Sequence, residues 1–526
     1  MINDKNTNKN FLTIVTQNSF WSSLNFVFVG ITGLVVSIIL TRYFGASKYG
    51  VYAYMTSLVA ILAIVLDFGI GQAINKYVPK YFWYEEKKSI AIKIFLAATY
   101  LRLIVSVLII AILCLTLSHW IGVVNIADPD VRRLLLIAIL GSLVSFLSAH
   151  LLNFLSATQN FKKVAIANIV GSTLNIIFIL AVIFLSKGIA YILAASILTN
   201  FAVACYAFFQ VKPLLIYKEF PETVVDRKEI VKYTWLAYIN VLVQFVLWSY
   251  SEVIFLGKYS PSAEIGFYSL AYTMAIIFTS FVGVLQKSLQ NAQFEVLETE
   301  EKRSDRMCYL AIKYGLILFI PIANLLVLFI GNAVNLVYGS GFVKIQSIFP
   351  LVLYSSIIGV IFTPIFIKIA NQNKKFSKTI LIILLGAVLN LVLDYFLIRK
   401  YSSIGAGVAN FLSQAVTTTL LLTYVLRSTR YYIDWRKVWK LLAWAVIFSL
   451  LFVALSVITK LVIIKLIAGI ILLFLSFRAL VWLKVFCYED VEILDNLMGF
   501  SPRLLIPIVQ KARNMIKKIS DNSALN

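Results

Sequence analysis

Four ionisable side chains interrupt stretches that are otherwise apolar: Asp67, Arg102, Glu252 and Asp394. A charge at the centre of a membrane helix costs about 2.5–3.5 kcal/mol on insertion scales, so each of them needs a partner or a wet cavity. A cation such as Arg102 can hold an anionic group, and a buried carboxyl can carry a proton or a small cation. Arg102 therefore has two readings: a cation lining a cavity, or one half of an ion pair with Asp67 that ties two helices together. Asp67, Glu252 and Asp394 are candidates for ion coupling. Glu252 and Asp394 sit toward the ends of their stretches, where they could equally reach interfacial water.

Other residues add to the list of cavity candidates. Lys287, Lys313 and Lys368 could form a basic vestibule that attracts anions, or simply follow the cytoplasmic excess of basic residues that any membrane protein shows. Arg42, between the first two apolar stretches, is a further cavity candidate. Gln17, Asn18 and Asn25 make the start of the first apolar stretch unusually polar; uncharged groups of this kind can bond sugar hydroxyls from a cavity wall or tie one helix to another. Asn175 and Asn390 suggest helix-to-helix bonding, and His150 a packed, hydrogen-bonded histidine. Pro321 and Pro364 interrupt backbone bonding within apolar stretches and are hinge candidates.

Nothing in the chain resembles a reaction centre. There is no glycine loop to cradle a nucleotide phosphate and no acidic pair on a long external loop. The four cysteines, Cys114, Cys205, Cys308 and Cys487, have no metal-ligand spacing, so neither a metal nor a cofactor is expected.

The elements that position these residues are membrane spans. The chain has 526 residues, of which 61% are hydrophobic and 13% charged, which excludes an ordinary water-soluble fold. Apolar stretches predict an all-α integral membrane protein. Its fourteen spans fall near 11–40, 50–75, 89–118, 134–157, 164–186, 188–211, 233–257, 265–287, 309–330, 346–368, 379–398, 403–426, 438–459 and 461–485. The net charge of +23 resides in short connections rather than on one basic face, so nucleic acid is not a partner. Lysines and arginines concentrate in alternate connections, which places both termini in the cytoplasm.

Two halves share helical text. Gly171-Ser-Thr-Leu-Asn175 returns as Gly386-Ala-Val-Leu-Asn390, Gly50-Val-Tyr52 as Gly266-Phe-Tyr268, and Gly188 and Ser196 as Gly405 and Ser413. The separation is nearly constant, so spans 1–6 map onto spans 7–12 in the same orientation, as in parallel-repeat transporters. The expected organisation is an N-lobe over residues 1–211, a cytoplasmic linker over 212–232, a C-lobe over 233–430 and two further spans over 431–488. A cytoplasmic tail over 489–526 follows. In the tail, an apolar face running from Leu504 to Ile519 with flanking lysines suits a helix lying on anionic membrane lipid.

Several segments resemble polysaccharide-export flippases of the Wzx type, in the superfamily that also holds MATE exporters and lipid II flippases. They are Leu40 through Tyr52 leading into Leu66-Asp67-Phe-Gly69, Glu252 through Tyr268, Tyr338-Gly-Ser-Gly-Phe342 with Pro350, and Leu389-Asn-Leu-Val-Leu-Asp394 with Gly405-Ala-Gly407. The resemblance covers roughly residues 10–430; position 252 is Glu where Asp is more usual. It implies a two-lobed transporter of the cytoplasmic or inner membrane that works by alternating access through a cationic central cavity. It would move a polyprenyl-pyrophosphate-linked oligosaccharide to the outer leaflet for surface polysaccharide synthesis, with a polysaccharide polymerase and chain-length machinery as candidate partners. A MATE-like exporter of small molecules, with proton or sodium antiport, is the rival. A sugar-polymerising enzyme would need a large external loop that the chain lacks, and a scaffold would leave the repeat and the buried charges unexplained.

Overall fold

The computed structural model describes residues 3–84, 87–123, 130–216, 227–247, 250–297, 301–372, 376–428, 435–459 and 461–483, with 485 and 510. Helices account for almost all of them: α1 (Asn3–Val65), α2 (Ile70–Pro79), α3 (Lys88–Leu115), α4 (Leu117–Val123), α5 (Val131–Ala157), α6 (Phe161–Phe184), α7 (Ile189–Val211), α8 (Arg227–Leu247), α9 (Tyr250–Tyr259), α10 (Ser262–Leu297), α11 (Glu301–Val337), α12 (Ile345–Gln372), α13 (Phe376–Ser428), α14 (Trp435–Ile458) and α15 (Val462–Trp482). Among the described residues there is no strand. Helices satisfy every backbone group within one segment, which hydrocarbon demands. Leu115, Phe184 and Trp482 point outward, exposed as lipid-facing residues are. The chain is a multi-pass membrane protein: among the described residues, ten helical stretches are long and apolar enough to cross a bilayer.

Two of those stretches, Gln17–Val65 and Lys378–Val425, are long enough to cross twice, and each carries a sharp bend. In α1 the bend is at Gly45, whose φ of 72° a residue with a Cβ adopts only at a cost. In α13 it is at Ser402, with φ 50°. There Glu264 accepts the backbone N–H of Ser403 at 3.3 Å and the Ser403 hydroxyl, and takes Lys344 Nζ at 2.5 Å. One carboxylate thus fastens the α13 bend to α10 and to the segment before α12. With these bends, each of the fourteen expected spans centres on helix.

The second expected span differs in one respect. It is not continuous helix: α1 ends at Val65, residues 66–69 form a turn, and α2 begins at Ile70. Phe68 and Gly69 both have positive φ. The break leaves Asp67 at the entrance to α2, where its Oδ2 accepts the Gly71 N–H at 3.3 Å. A carboxylate there satisfies one orphan donor of the helix start and faces the positive end of its dipole.

The chain divides into two compact units. The first comprises Met1–Phe278, Val334–Ser356 and Ala370–Thr423. In it α5, α6 and α7 pack on one another and on α1, with α2 and α3 beside α5. A buried apolar cluster including Ile74, Phe95, Phe154 and Ala207 joins α2, α3, α5 and α7. The second unit comprises Thr279–Ala333, Ile357–Ile369 and Tyr424–Asn526. Here α14 pairs with α15, and Trp444 Nε1 donates to the Ser476 carbonyl at 2.9 Å. Asn324 of α11 bonds Ser449 at 3.0 Å, and Asn332 accepts the buried Lys465 ammonium at 3.0 Å. The expected interfacial face from Leu504 to Ile519 lies outside the described residues.

Candidate functional site

Three arrangements in the first unit gather polar side chains. The first is built around Arg102, which α3 carries into the interior at 3% exposure. Its Nη2 pairs with Asp67 Oδ1, its Nη1 meets His150 Nδ1 at 2.5 Å, and its guanidinium lies 4.2 Å from the Phe146 ring centroid. The tautomer of His150 follows from the donors. A guanidinium only donates, so Nδ1 accepts and Nε2 carries the proton. That proton goes to Thr99 Oγ1 at 2.7 Å, and the Thr99 hydroxyl donates to the Phe95 carbonyl at 2.7 Å. The chain of bonds links α3, α5 and the break before α2.

The second arrangement surrounds Glu252, with both carboxyl groups fully buried. Asn390 Nδ2 reaches Ser251 Oγ, Glu252 Oε1 and Asp394 Oδ2 at 3.2, 3.3 and 3.1 Å. The Ser251 hydroxyl reaches Asp394 Oδ2 at 3.1 Å and Glu252 Oε2 at 3.3 Å. Asn410 Nδ2 donates to Glu252 Oε1 at 2.8 Å and is itself held by Ser355. Among the described residues neither acid has a cationic partner, and Asp394 Oδ1 has no hydrogen-bond partner at all. Two acids from α9 and α13 therefore share a cradle of neutral oxygens and amides.

The third arrangement is a cavity of about 410 Å³ bordered by α1, α9 and α10, with a neighbouring one of about 340 Å³ that reaches Ser172 and Asn175 of α6. Five tyrosines border the larger one: Tyr49, Tyr52, Tyr250, Tyr268 and Tyr272. None of the described residues lining either space is charged. Gly30 and Gly33 widen the wall formed by α1.

Beyond Tyr49, toward the bend of α1, the walls come together. An added Cβ on Gly50 would lie 1.7 Å from the Ser262 carbonyl oxygen and 3.1 Å from the Gly266 nitrogen. One on Gly266 would lie 2.8 Å from the Ala46 oxygen. Small residues four apart on both helices allow this backbone approach. The two glycines are those whose sequence settings recur, as Gly50-Val-Tyr52 and Gly266-Phe-Tyr268. Ser37 Oγ and Tyr338 OH bond at 3.1 Å beside them. Arg42 donates through Nε to Val337 O at 2.8 Å and through Nη2 to Leu336 O at 2.5 Å. These are orphan carbonyls at the end of α11, where a cation is favourable.

The repeat also recurs as a bond. Ser196 Oγ meets Asn175 Oδ1 at 3.4 Å between α6 and α7, and Ser413 Oγ meets Asn390 Oδ1 at 2.6 Å across the two arms of α13. Asn390 thus serves helix pairing and the acid cluster together.

The remaining candidates are dispersed. Gln17 is exposed and Asn18 half-buried, and Asn25 keeps a buried Oδ1 without a hydrogen-bond partner among the described residues. Lys313 is fully buried in α11, its Nζ 5.6 Å from the Tyr314 ring centroid. Pro321 lies within α11. Lys287 in α10, and Pro364 and Lys368 in α12, have side chains outside the described ones. Sequence reasoning missed the tyrosines of the cavity, Asn410 and Ser355 of the acid cluster, and the break that places Asp67. Only the first left a signal, in the recurrence of Gly50-Val-Tyr52 as Gly266-Phe-Tyr268.

With this geometry established, comparison with known proteins gives two results. The family described as "Polysaccharide biosynthesis protein" matches residues 15–288. Among solved structures, the chain is similar to the lipid II flippase MurJ in an inward closed conformation, at 17% identity over 87% of this chain and 97% of that one, with a TM-score of 0.64. It is also similar to a multidrug resistance MATE family transporter of the MOP superfamily. The inward-facing form gives 13% identity, 78% and 95% coverage and a TM-score of 0.59. The outward-facing form gives 12%, 79% and 96%, and 0.55. At these identities the likeness is one of fold. No curated protein matches the sequence.

Proposed function

The chain belongs to the polysaccharide biosynthesis protein family, and from that premise we propose that it is a flippase. Its substrate would be a polyprenyl-pyrophosphate-linked oligosaccharide, moved from the cytoplasmic to the outer leaflet. The observation that carries the reading is the cavity inside a membrane-spanning bundle, its described lining rich in hydroxyls and without charge, pinched shut at one end by Gly50 and Gly266. A sugar head cannot cross hydrocarbon with its hydroxyls unpaired, at several kcal/mol each; the cavity offers them partners. The pinched end is the outer one, both termini are cytoplasmic, and residues 1–211 and 233–430 act as two lobes that rock about the repeat-related glycines. Pro321 and Pro364 are hinge candidates for that motion. The lipid tail stays outside, against spans 13 and 14.

The described cavity lining holds no cation. Lys287 and Lys368, toward the cytoplasmic ends of their spans, are the candidates to meet the pyrophosphate. Arg102 and Asp67 act as a pair that fixes the break in the second span.

Glu252 and Asp394 form the coupling site. Two buried carboxylates without a counter-cation are strongly disfavoured, so the cluster takes up a proton or a small monovalent cation. The unpartnered Asp394 Oδ1 is where it would bind, with the carboxylate oxygens of Glu252 and the Ser251 hydroxyl as the oxygen ligands at hand, as a hard cation requires. The membrane potential adds about 2.3 kcal/mol per charge at 100 mV for an anion moving outward.

The acid cluster also favours a second reading, an antiporter of small molecules. Reconstitution separates the two. In proteoliposomes, a fluorescent polyprenyl-pyrophosphate oligosaccharide should become accessible to a membrane-impermeant quencher. Efflux of small organic cations with no movement of the glycolipid would favour the antiporter.

A further inference from the structure

We infer that the glycan this chain accepts is uncharged and is recognised by tyrosines on opposite walls of the cavity, Tyr52 on α1 and Tyr272 on α10. The inference rests on the flippase reading and names the class of sugar. On one wall Tyr49 and Tyr52 lie with ring centroids 6.0 Å apart; on the other, Tyr268 and Tyr272 stack at 6.4 Å with planes 9° apart. Tyrosine provides a broad, rigid, amphipathic face at little entropic cost. The C–H faces of a pyranose pack on such rings.

The hydroxyls around the rings suit the rest of the sugar. Thr56, Ser57 and Thr273 each donate to a carbonyl of their own helix, to Ala53 O at 3.0 Å, Ala53 O at 2.8 Å and Ser269 O at 2.8 Å respectively. Their oxygens are left as acceptors for sugar O–H groups. Ser269 Oγ, also at the cavity, is buried with no hydrogen-bond partner among the described residues. A neutral hexose can satisfy all of these groups. A uronic acid or a phosphorylated sugar would bring a charge into a space whose described lining holds no cation, and a buried charge left unpaired is heavily penalised. The same argument disfavours the pyrophosphate here, so the head enters sugar first.

The test is equilibrium binding to the full-length protein in lipid nanodiscs. Three short-chain polyprenyl pyrophosphates serve as probes: one bearing a neutral disaccharide, one with a hexuronic acid replacing one hexose, and one without sugar. Wild type should bind the neutral glycolipid about tenfold or more tightly than the uronate, the scale of one buried group left unsatisfied. Tyr52→Ala and Tyr272→Ala should abolish that preference and leave the sugar-free lipid unchanged. Tyr52→Leu and Tyr272→Leu, which fill the space without an aromatic face, should weaken neutral glycolipid binding and spare the sugar-free lipid, and they carry the test should an alanine variant not remain monodisperse. Equal or tighter binding of the uronate, or well-folded variants with undiminished preference, overturns the inference. Equal binding of glycolipid and sugar-free lipid also overturns it, while leaving a lipid flippase standing. Failure of wild type to bind any of the three removes the flippase reading itself.

Discussion

Replacing Gly50 with alanine puts a methyl carbon 1.7 Å from the Ser262 carbonyl oxygen. Carbon centres do not approach closer than 3.0 Å, and a backbone carbonyl, unlike a flexible side chain, cannot swing aside. The two helices must part by about 1.3 Å at this point, and overpacking of this kind costs roughly 1–3 kcal/mol. The cost falls only on the form in which α1 and α10 touch. If transport requires them to separate, the closed-to-open equilibrium shifts by roughly 5- to 150-fold toward open. The readout is a single cysteine at Thr273, which borders the cavity, in a background with Cys114, Cys205, Cys308 and Cys487 replaced. A membrane-impermeant maleimide added from outside should label it faster in Gly50→Ala by that factor. Labelling at the wild-type rate, in a variant that inserts normally, would refute the argument: the contact would then persist through the cycle, and the pinch would be packing rather than a gate.

Further outcomes follow from the buried bonds. Arg102→Ala leaves Asp67 and His150 without the guanidinium and should lower stability by about 3–5 kcal/mol, read as thermal unfolding in detergent; adding Asp67→Asn should recover part of the loss. Ser413→Ala removes a short buried hydrogen bond to Asn390 Oδ1 and should cost about 1 kcal/mol, while Ser196→Ala, whose bond is longer, should cost less by the same measurement. Asp394→Asn keeps the size of the side chain and removes a charge. It should leave folding intact and abolish the response of glycolipid movement to an imposed proton or sodium gradient, measured in proteoliposomes.

Much of the fold was legible in the sequence because hydrocarbon allows so few structures. Apolar length alone located the spans, and the recurrence of Asn175 as Asn390 already hinted at bonds between helices, though not that Ser196 and Ser413 would be their partners. The charged site was half legible. Composition showed that Arg102 needed a partner and offered Asp67, but could not choose between pairing and cavity, because that depends on the turn at 66–69. A Phe-Gly step inside an apolar run looks the same in a continuous helix as in a broken one. Asn410 and Ser355 join Glu252 only through tertiary packing and carry no pattern of their own. The tyrosines were visible as part of the repeat, but their meeting across a cavity depends on how closely Gly50 and Gly266 let the backbones approach.

The most direct test of the account is substrate protection inside the cavity. The Thr273→Cys protein, reconstituted and made permeable to maleimide from both sides, would be labelled with and without saturating polyprenyl-pyrophosphate oligosaccharide, alongside a cysteine on the lipid-facing side at Leu115. The account predicts slowed labelling at position 273 and no change at 115. Unchanged labelling at 273, in protein that demonstrably moves the glycolipid, would contradict it by placing the passage elsewhere.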